Sequence, residues 1–204
     1  RRQVNRWVSA LSLSLFAFTA VPAMAADEAP DALIQRVSTE VLAIIKADKT
    51  LMAGDVARIV ALVDSKIMPY VNFQGMTASA VDPTWRQATP EQRKRLQDEF
   101  KALLVQTYAG ALINVKDNTI SVKPLRAAAD STAVTVRTEI LGRGEPVQLD
   151  YRLEKIAGEG WKINNLNVLG VWLVETYRSQ FRSEINAKGI DGLITTLTDM
   201  NKSN

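Results

Sequence analysis

The chain has 204 residues, with 25 Lys+Arg, 22 Asp+Glu, no cysteine and no histidine. Without those last two residue types, no disulfide scaffold, Ser-His-Asp or Cys-His nucleophile, or ordinary zinc site can be assembled. Carboxylate chemistry and Ca²⁺ or Mg²⁺ binding remain open in principle, but the sequence holds no EF-hand loop, P-loop or G-x-G-x-x-G.

The N-terminus has the pattern of an export signal. Arg1, Arg2 and Arg6 form a basic region, Trp7 to Ala20 is apolar and uncharged, and Pro22-Ala23-Met24-Ala25 ends in small-x-small. This predicts a secretory signal peptide over 1–25, cleaved after Ala25, and a single domain over 26–204. The three arginines are the whole excess of base over acid, so residues 26–204 carry no net charge. Neither a nucleic-acid partner nor an anionic surface is expected of such a chain.

Asp31 is placed to cap a helix to about Ala47, with Leu33, Ile34, Val37, Val41, Ile44 and Ile45 on one face. Gly54 interrupts, and a second helix is expected from Asp55 to Pro69, burying Val56, Ile59, Val60, Val63 and Ile67. Tyr70, Val71, Phe73 and Met76 form an apolar cluster in a short helix or turn, followed by a turn at Asp82-Pro83 and an anchor at Trp85. The longest stripe runs from Thr89 to Val115. Thr89 with Gln92 is a capping box, Pro90 suits the first helical position, and Leu96, Phe100, Leu103, Leu104, Tyr108, Leu112 and Val115 recur at helical spacing.

After Asn118 the period changes from 3.6 to 2. Four strands are expected, around Ile120–Pro124, Ala133–Leu141, Val147–Leu153 and Trp161–Val168. Gly142-Arg143-Gly144 and Gly158-Glu159-Gly160 turn the chain between them, which explains the first glycine pair better than phosphate binding does. From Val171 the helical period returns, with Trp172, Leu173, Tyr177, Phe181 and Ile185 in a stripe, a stop at Lys188-Gly189 and a last helix from Asp191. The predicted class is α+β, with helices packed on one face of a curved four-stranded antiparallel sheet.

No pair of acids on the long helix faces inward at helical spacing, and Tyr151 and Asp150, adjacent on a strand, point to opposite faces. Arg178 and Arg182 share a helix face and suit solvent, a phosphate or a partner protein. The apolar stripes fit either a solid core or the wall of a cavity, and periodicity does not separate the two.

The run Trp85-Arg86, Ala88-Thr89-Pro90-Glu91-Gln92-Arg93, Phe100, Leu103-Leu104 and Thr107-Tyr108 resembles the MlaC (toluene-tolerance, Ttg2-type) family of periplasmic phospholipid-binding proteins. Tyr151-Arg152-Leu153, Gly160-Trp161-Lys162-Ile163, Tyr177-Arg178-Ser179-Gln180-Phe181 and Lys188-Gly189-Ile190-Asp191-Gly192-Leu193 continue the resemblance over roughly 32–197. Two positions depart from the family pattern: Asn165, where an acid is frequent, and Trp172, where a small residue is.

The resemblance implies a non-enzymatic periplasmic carrier of diacyl glycerophospholipid, with no cofactor beyond that cargo. It would work between an outer-membrane lipoprotein complex and an inner-membrane ABC transporter with an MCE-domain subunit, maintaining outer-membrane lipid asymmetry. It also implies a deep apolar cavity between helices and sheet. The expected wall is Val134, Val136, Ile140, Val147, Leu149, Tyr151 and Leu153 from the sheet. Tyr70, Phe73, Phe100, Leu103, Leu104, Tyr108 and Trp172 are expected to face them from the helices. The rival readings are a pocket-bearing α+β enzyme and an adaptor with a solid core.

Overall fold

A computed structural model describes residues 28–114, 117–128 and 130–203, without the side chains of Leu112 and Ile113. The expected signal peptide and Val115 lie outside the described residues. Helix α1 (Pro30–Ala47) buries Leu33, Ile34, Val37, Val41 and Ile45 as its spacing predicts. Its N-cap is Ala29, with Pro30 opening the helix, so Asp31 sits in the first turn rather than at the cap. There its charge still complements the helix dipole. A one-turn helix, α2 (Lys49–Met52), follows. The Asp48 side chain accepts from the backbone N–H groups of Thr50 and Leu51, an N-cap the hydrophobic pattern did not reveal.

The helix expected from Asp55 does start there: Asp55 caps α3 (Val56–Leu62) by accepting from Arg58 N–H. The helix does not run unbroken to Pro69: it loosens into a π-turn over Val63–Ile67 and tightens into a 3₁₀ turn over Met68–Tyr70. Ile59 is buried, but Val56, in the first turn, is 51% exposed. Asn72 caps α4 (Phe73–Val81) by accepting from Gly75 N–H at 2.9 Å. A Cβ at Gly75 would stand 2.5 Å from the Asn72 side chain, so this cap needs glycine there.

The long helix α5 spans Pro90–Asn114. Its capping box forms reciprocally: Gln92 N–H donates to Thr89 Oγ1 at 3.2 Å, and Thr89 N–H donates to Gln92 Oε1 at 3.0 Å.

The sheet runs β1 (Thr119–Val122), β2 (Ala133–Leu141), β3 (Val147–Ile156), β4 (Gly160–Val168) and β5 (Val171–Trp172), in chain order and antiparallel throughout. The expectation of four strands is therefore corrected to five. Leu169-Gly170 is a two-residue turn, with φ of 52° and 87°, which returns Val171 and Trp172 onto β4 before any helix begins. The irregular pattern of β4 also has a cause. A bulge between the Arg152–Asn165 and Leu153–Ile163 pairs inserts Asn164 and shifts the alternation. On β2, Val134, Val136 and Thr138 are buried while Ala133, Thr135 and Arg137 are exposed, which is the predicted two-faced strand.

Helix α6 (Leu173–Ser203) is two helices joined at Gly189, whose φ of 72° and ψ of −175° break the spiral at the predicted stop. A residue with a Cβ is strained in that conformation.

Candidate functional site: an apolar seam between helix and sheet

Two hydrophobic clusters organise the molecule. In the first, α1, α2 and α3 pack on Val134, Val136, Leu153 and Ile163 of the sheet. In the second, Ala80 and Val81 of α4, Leu96, Phe100 and Leu103 of α5, and Leu173, Tyr177, Phe181, Leu193, Ile194 and Leu197 of α6 pack together. Phe100 is fully buried at its centre, with ring centroids 5.0 Å from Tyr177, 5.2 Å from Phe181 and 5.7 Å from Phe73.

Between the clusters the packing is incomplete. Leu104, Val105, Tyr108 and Ala109 lie on one face of α5, and all four are only half-buried. Val105 and Ala109 border the first cluster, and Leu104 and Tyr108 the second. On the sheet, Leu149, Tyr151, Leu166 and Val168 point to one face, because Tyr151 pairs with Leu166 and Leu149 with Val168. These four are half-buried as well. Helix α5 packs on α6, α4 and α3 and makes no comparable contact with any strand. An apolar face of α5 and an apolar face of the sheet thus border the two clusters and are each only half-buried.

Tyr151 reports the character of this seam. Burial pushes its phenol up to about 12, and a hydrogen bond with the Ser38 side chain of α1 works in the opposite direction. Yet the residue keeps accessible surface. Tyr151 is thus largely enclosed by protein while keeping some contact with water. Desolvation raises the Tyr108 phenol too, from the helix side.

The predicted wall residues therefore divide. Leu104 and Tyr108 are half-buried on the α5 face and Leu149 and Tyr151 on the sheet face, and Ile140 and Val147 are half-buried on the same sheet face, toward the β2–β3 turn. Phe100, Leu103, Val134, Val136 and Leu153 are at most 9% exposed and are packed by protein. Tyr70 and Phe73 are half-buried at the borders of the first and second clusters. The Tyr70 hydroxyl accepts from Arg36 Nη1 at 3.3 Å, and the Arg36 guanidinium lies 5.1 Å from its ring centroid.

Trp172 corrects the expectation that it faces the others. It pairs with Asn167 on β5, which puts its side chain on the sheet face opposite Tyr151 and Leu166, with the Arg152 guanidinium 3.8 Å from its ring centroid. Reading Val171 onward as helix hid this. The sequence reading also omitted Val105, Ala109, Leu166 and Val168. The first two are neighbours of Leu104 and Tyr108 at helical spacing, whereas the bulge masked the last two.

Asn165 also takes a defined role. Its Oδ1 accepts from Val174 N–H at 3.1 Å, and its Nδ2 donates to Glu175 at 2.7 Å, tying β4 to the start of α6. An acid there would keep the first bond but face the Glu175 carboxylate. Burial pushes the Glu175 carboxyl up, but hydrogen bonds from Arg152 and Asn165 outweigh it and hold its pKa below the ordinary value.

Two open clefts lie elsewhere. One of about 580 Å³ surrounds the Asp48 cap and Arg58. One of about 300 Å³, lined by Asn72, Arg152, Glu154, Asn165, Glu175 and Arg178, lies on the polar side of β3. Neither contains a predicted wall residue. Among the described residues no group of three His, Cys, Asp or Glu is placed to hold a metal, and no helix is long and apolar enough to cross a membrane.

Helices packed on one face of an open antiparallel sheet are a fold this chain shares with a solved lipid-binding protein. A phospholipid-binding protein from Ralstonia solanacearum, solved in complex with a phospholipid, superposes with a TM-score of 0.82 at 45% identity, covering 85% of this chain and 97% of that one. The MlaC protein family profile matches residues 35–199, and the chain belongs to that family. It is 31% identical over 168 residues to the toluene tolerance protein Ttg2D of Pseudomonas putida, covering 81% of this chain and 77% of the relative. It is 25% identical over 198 residues to the intermembrane phospholipid transport system binding protein MlaC of Haemophilus influenzae, covering 96% and 92%.

Proposed function

We propose that the chain is a periplasmic carrier that holds the acyl chains of a diacyl glycerophospholipid in the seam between α5 and the sheet. The observation that carries this reading is the pair of apolar faces, Leu104, Val105, Tyr108 and Ala109 on α5 and Leu149, Tyr151, Leu166 and Val168 on the sheet, which stay only half-buried beside two buried clusters. The phospholipid held by the structural relative at 45% identity supports it.

The energetics fit. A diacyl lipid has roughly thirty methylenes, each favouring burial by about 0.8 kcal/mol, on the order of 25 kcal/mol in all. A surface patch cannot shelter that much, whereas an enclosed seam can. Hydrocarbon has no hydrogen-bonding pattern to read, so a wall of Leu, Val, Ala and Tyr accepts varied chains. The carrier takes lipid between an outer-membrane lipoprotein complex and an inner-membrane ABC transporter with an MCE-domain subunit, and it performs no catalysis. The predicted signal peptide supports the periplasmic placement.

Mass spectrometry of an organic extract tests this. Protein purified from the periplasm without added lipid should yield near-stoichiometric phospholipid. Lipid-free protein that also takes up none from micelles would sink the reading.

A further inference from the structure

The turn between β4 and β5 is built against local preference. Leu169 holds a φ of 52° and Gly170 one of 87°, so both turn residues adopt positive φ. The first position of such a turn favours Asn, Asp or Gly, because a branched side chain is strained there. Leu169 is also 67% exposed, and Val171 beside it is 50% exposed. Within the folded chain this leucine thus gains little burial to offset its backbone strain and exposure. Strain of this kind points to function when the surroundings enforce it, and here they do. Leu169 N–H donates to Gln148 O at 3.1 Å, and Gly170 N–H donates to Asn167 Oδ1 at 2.9 Å. The side chain is therefore presented on a fixed support.

Its position matters as much as its strain. Val171 pairs with Val168, and Val168 with Leu149, so an apolar row runs from the exposed turn onto the seam-facing side of the sheet. Leu141, 39% exposed, lies at the same end of the sheet, where β2 turns into β3. The opposite end, at Leu153 and Ile163, is sealed by the first cluster. The half-buried stretch of this sheet face therefore lies toward Leu169.

We infer that the Leu169-Gly170 turn is the docking anchor for a partner protein that presents an apolar socket at the entrance of its own lipid path. This rests on the carrier reading above. Continuity of the row gives a bound lipid an apolar route beneath such a partner. Charge argues against a bilayer: residues 26–204 are neutral, and the neighbouring Gly142–Pro146 turn carries one arginine and one glutamate. A few aliphatic side chains beside a single arginine, itself offset by a glutamate, give no stable hold on a membrane. Size argues against a second copy, since a stable dimer needs about 800 Å² from each partner. A preorganised leucine that fills a socket suits a contact that must form and release.

The test compares Leu169→Asn, which fits the backbone, with Leu169→Met, which keeps the apolar tip. The probe is the purified soluble MCE domain of the transporter proposed above, with binding read by surface plasmon resonance. The Asn variant should bind at least tenfold more weakly and the Met variant within about twofold of the parent. The Asn variant should keep its lipid content, and its Tm should be unchanged or a few degrees higher as the strain is relieved. Binding of Leu169→Asn within twofold of the parent, or no binding by the parent, overturns the inference. So does a loss of binding to phosphatidylcholine–phosphatidylglycerol vesicles in place of the MCE domain. If the parent carries no lipid but Leu169→Asn still loses the MCE domain, the carrier reading fails and the docking anchor stands.

Discussion

The two halves of α5 face different neighbours. Around Phe100 the helix is packed by protein on its apolar side, with Tyr177 and Phe181 edge-on to one ring. One to two turns later, at Leu104–Ala109, the same stripe reaches surroundings that do not close on it. Side-chain chemistry barely changes between the halves, so hydrophobicity alone does not decide which half is core. The difference lies in how far each half is enclosed: α4 and α6 bury Phe100 completely, whereas Leu104, Val105, Tyr108 and Ala109 stay half-buried beside the sheet-bearing cluster.

Mutations at the two halves should behave oppositely. Phe100→Ala removes a fully buried ring from the aromatic cluster and should cost about 3–5 kcal/mol in chemical denaturation. Leu149→Arg should sharpen the contrast from the sheet side. It should release most of the bound phospholipid while costing about 1–2 kcal/mol, since its site borders space rather than packed atoms. Equal destabilisation by the two changes would mean that the seam is solid core. Thr89→Ala, which removes one side of the capping box, should cost about 1 kcal/mol and leave lipid content unchanged, because the cap serves the packed half.

The smallest effect is a titration. The Tyr151 phenol, raised to about 12 by burial, compares with about 10 in an unfolded chain. Because the folded value is the higher one, its contribution is complete below pH 10 and is lost as pH rises through about 12. Tyr151→Phe should remove the latest phenolate absorbance step and reduce the loss of stability across that window. Loss of a phenolate step at about 10 instead would place Tyr151 in open solvent.

Much of the fold was legible because local chemistry and periodicity agreed. The Thr89/Gln92 box, the helix start at Asp55, the Gly189 break and the limits of β2 all stand where the residues placed them. The failures have local causes too. The Leu169-Gly170 turn lacks the usual asparagine, so β5 and the orientation of Trp172 were missed. The bulge at Asn164 hid Leu166 and Val168. Asp48 caps one short turn of helix, too short to show a period. The site was legible as a set of apolar stripes but not as a seam. Phe100 and Leu104 are four residues apart on one stripe, and only the third dimension separates the packed one from the open one.

The account stands or falls on where acyl chains lie. A phospholipid with a diazirine in one acyl chain gives a direct map after irradiation and peptide mass spectrometry. Crosslinks should fall on the Leu104–Ala109 face of α5 and on Leu149, Tyr151, Leu166 and Val168. Crosslinks confined to the Phe100–Phe181 cluster or to the Trp172 face of the sheet would contradict it.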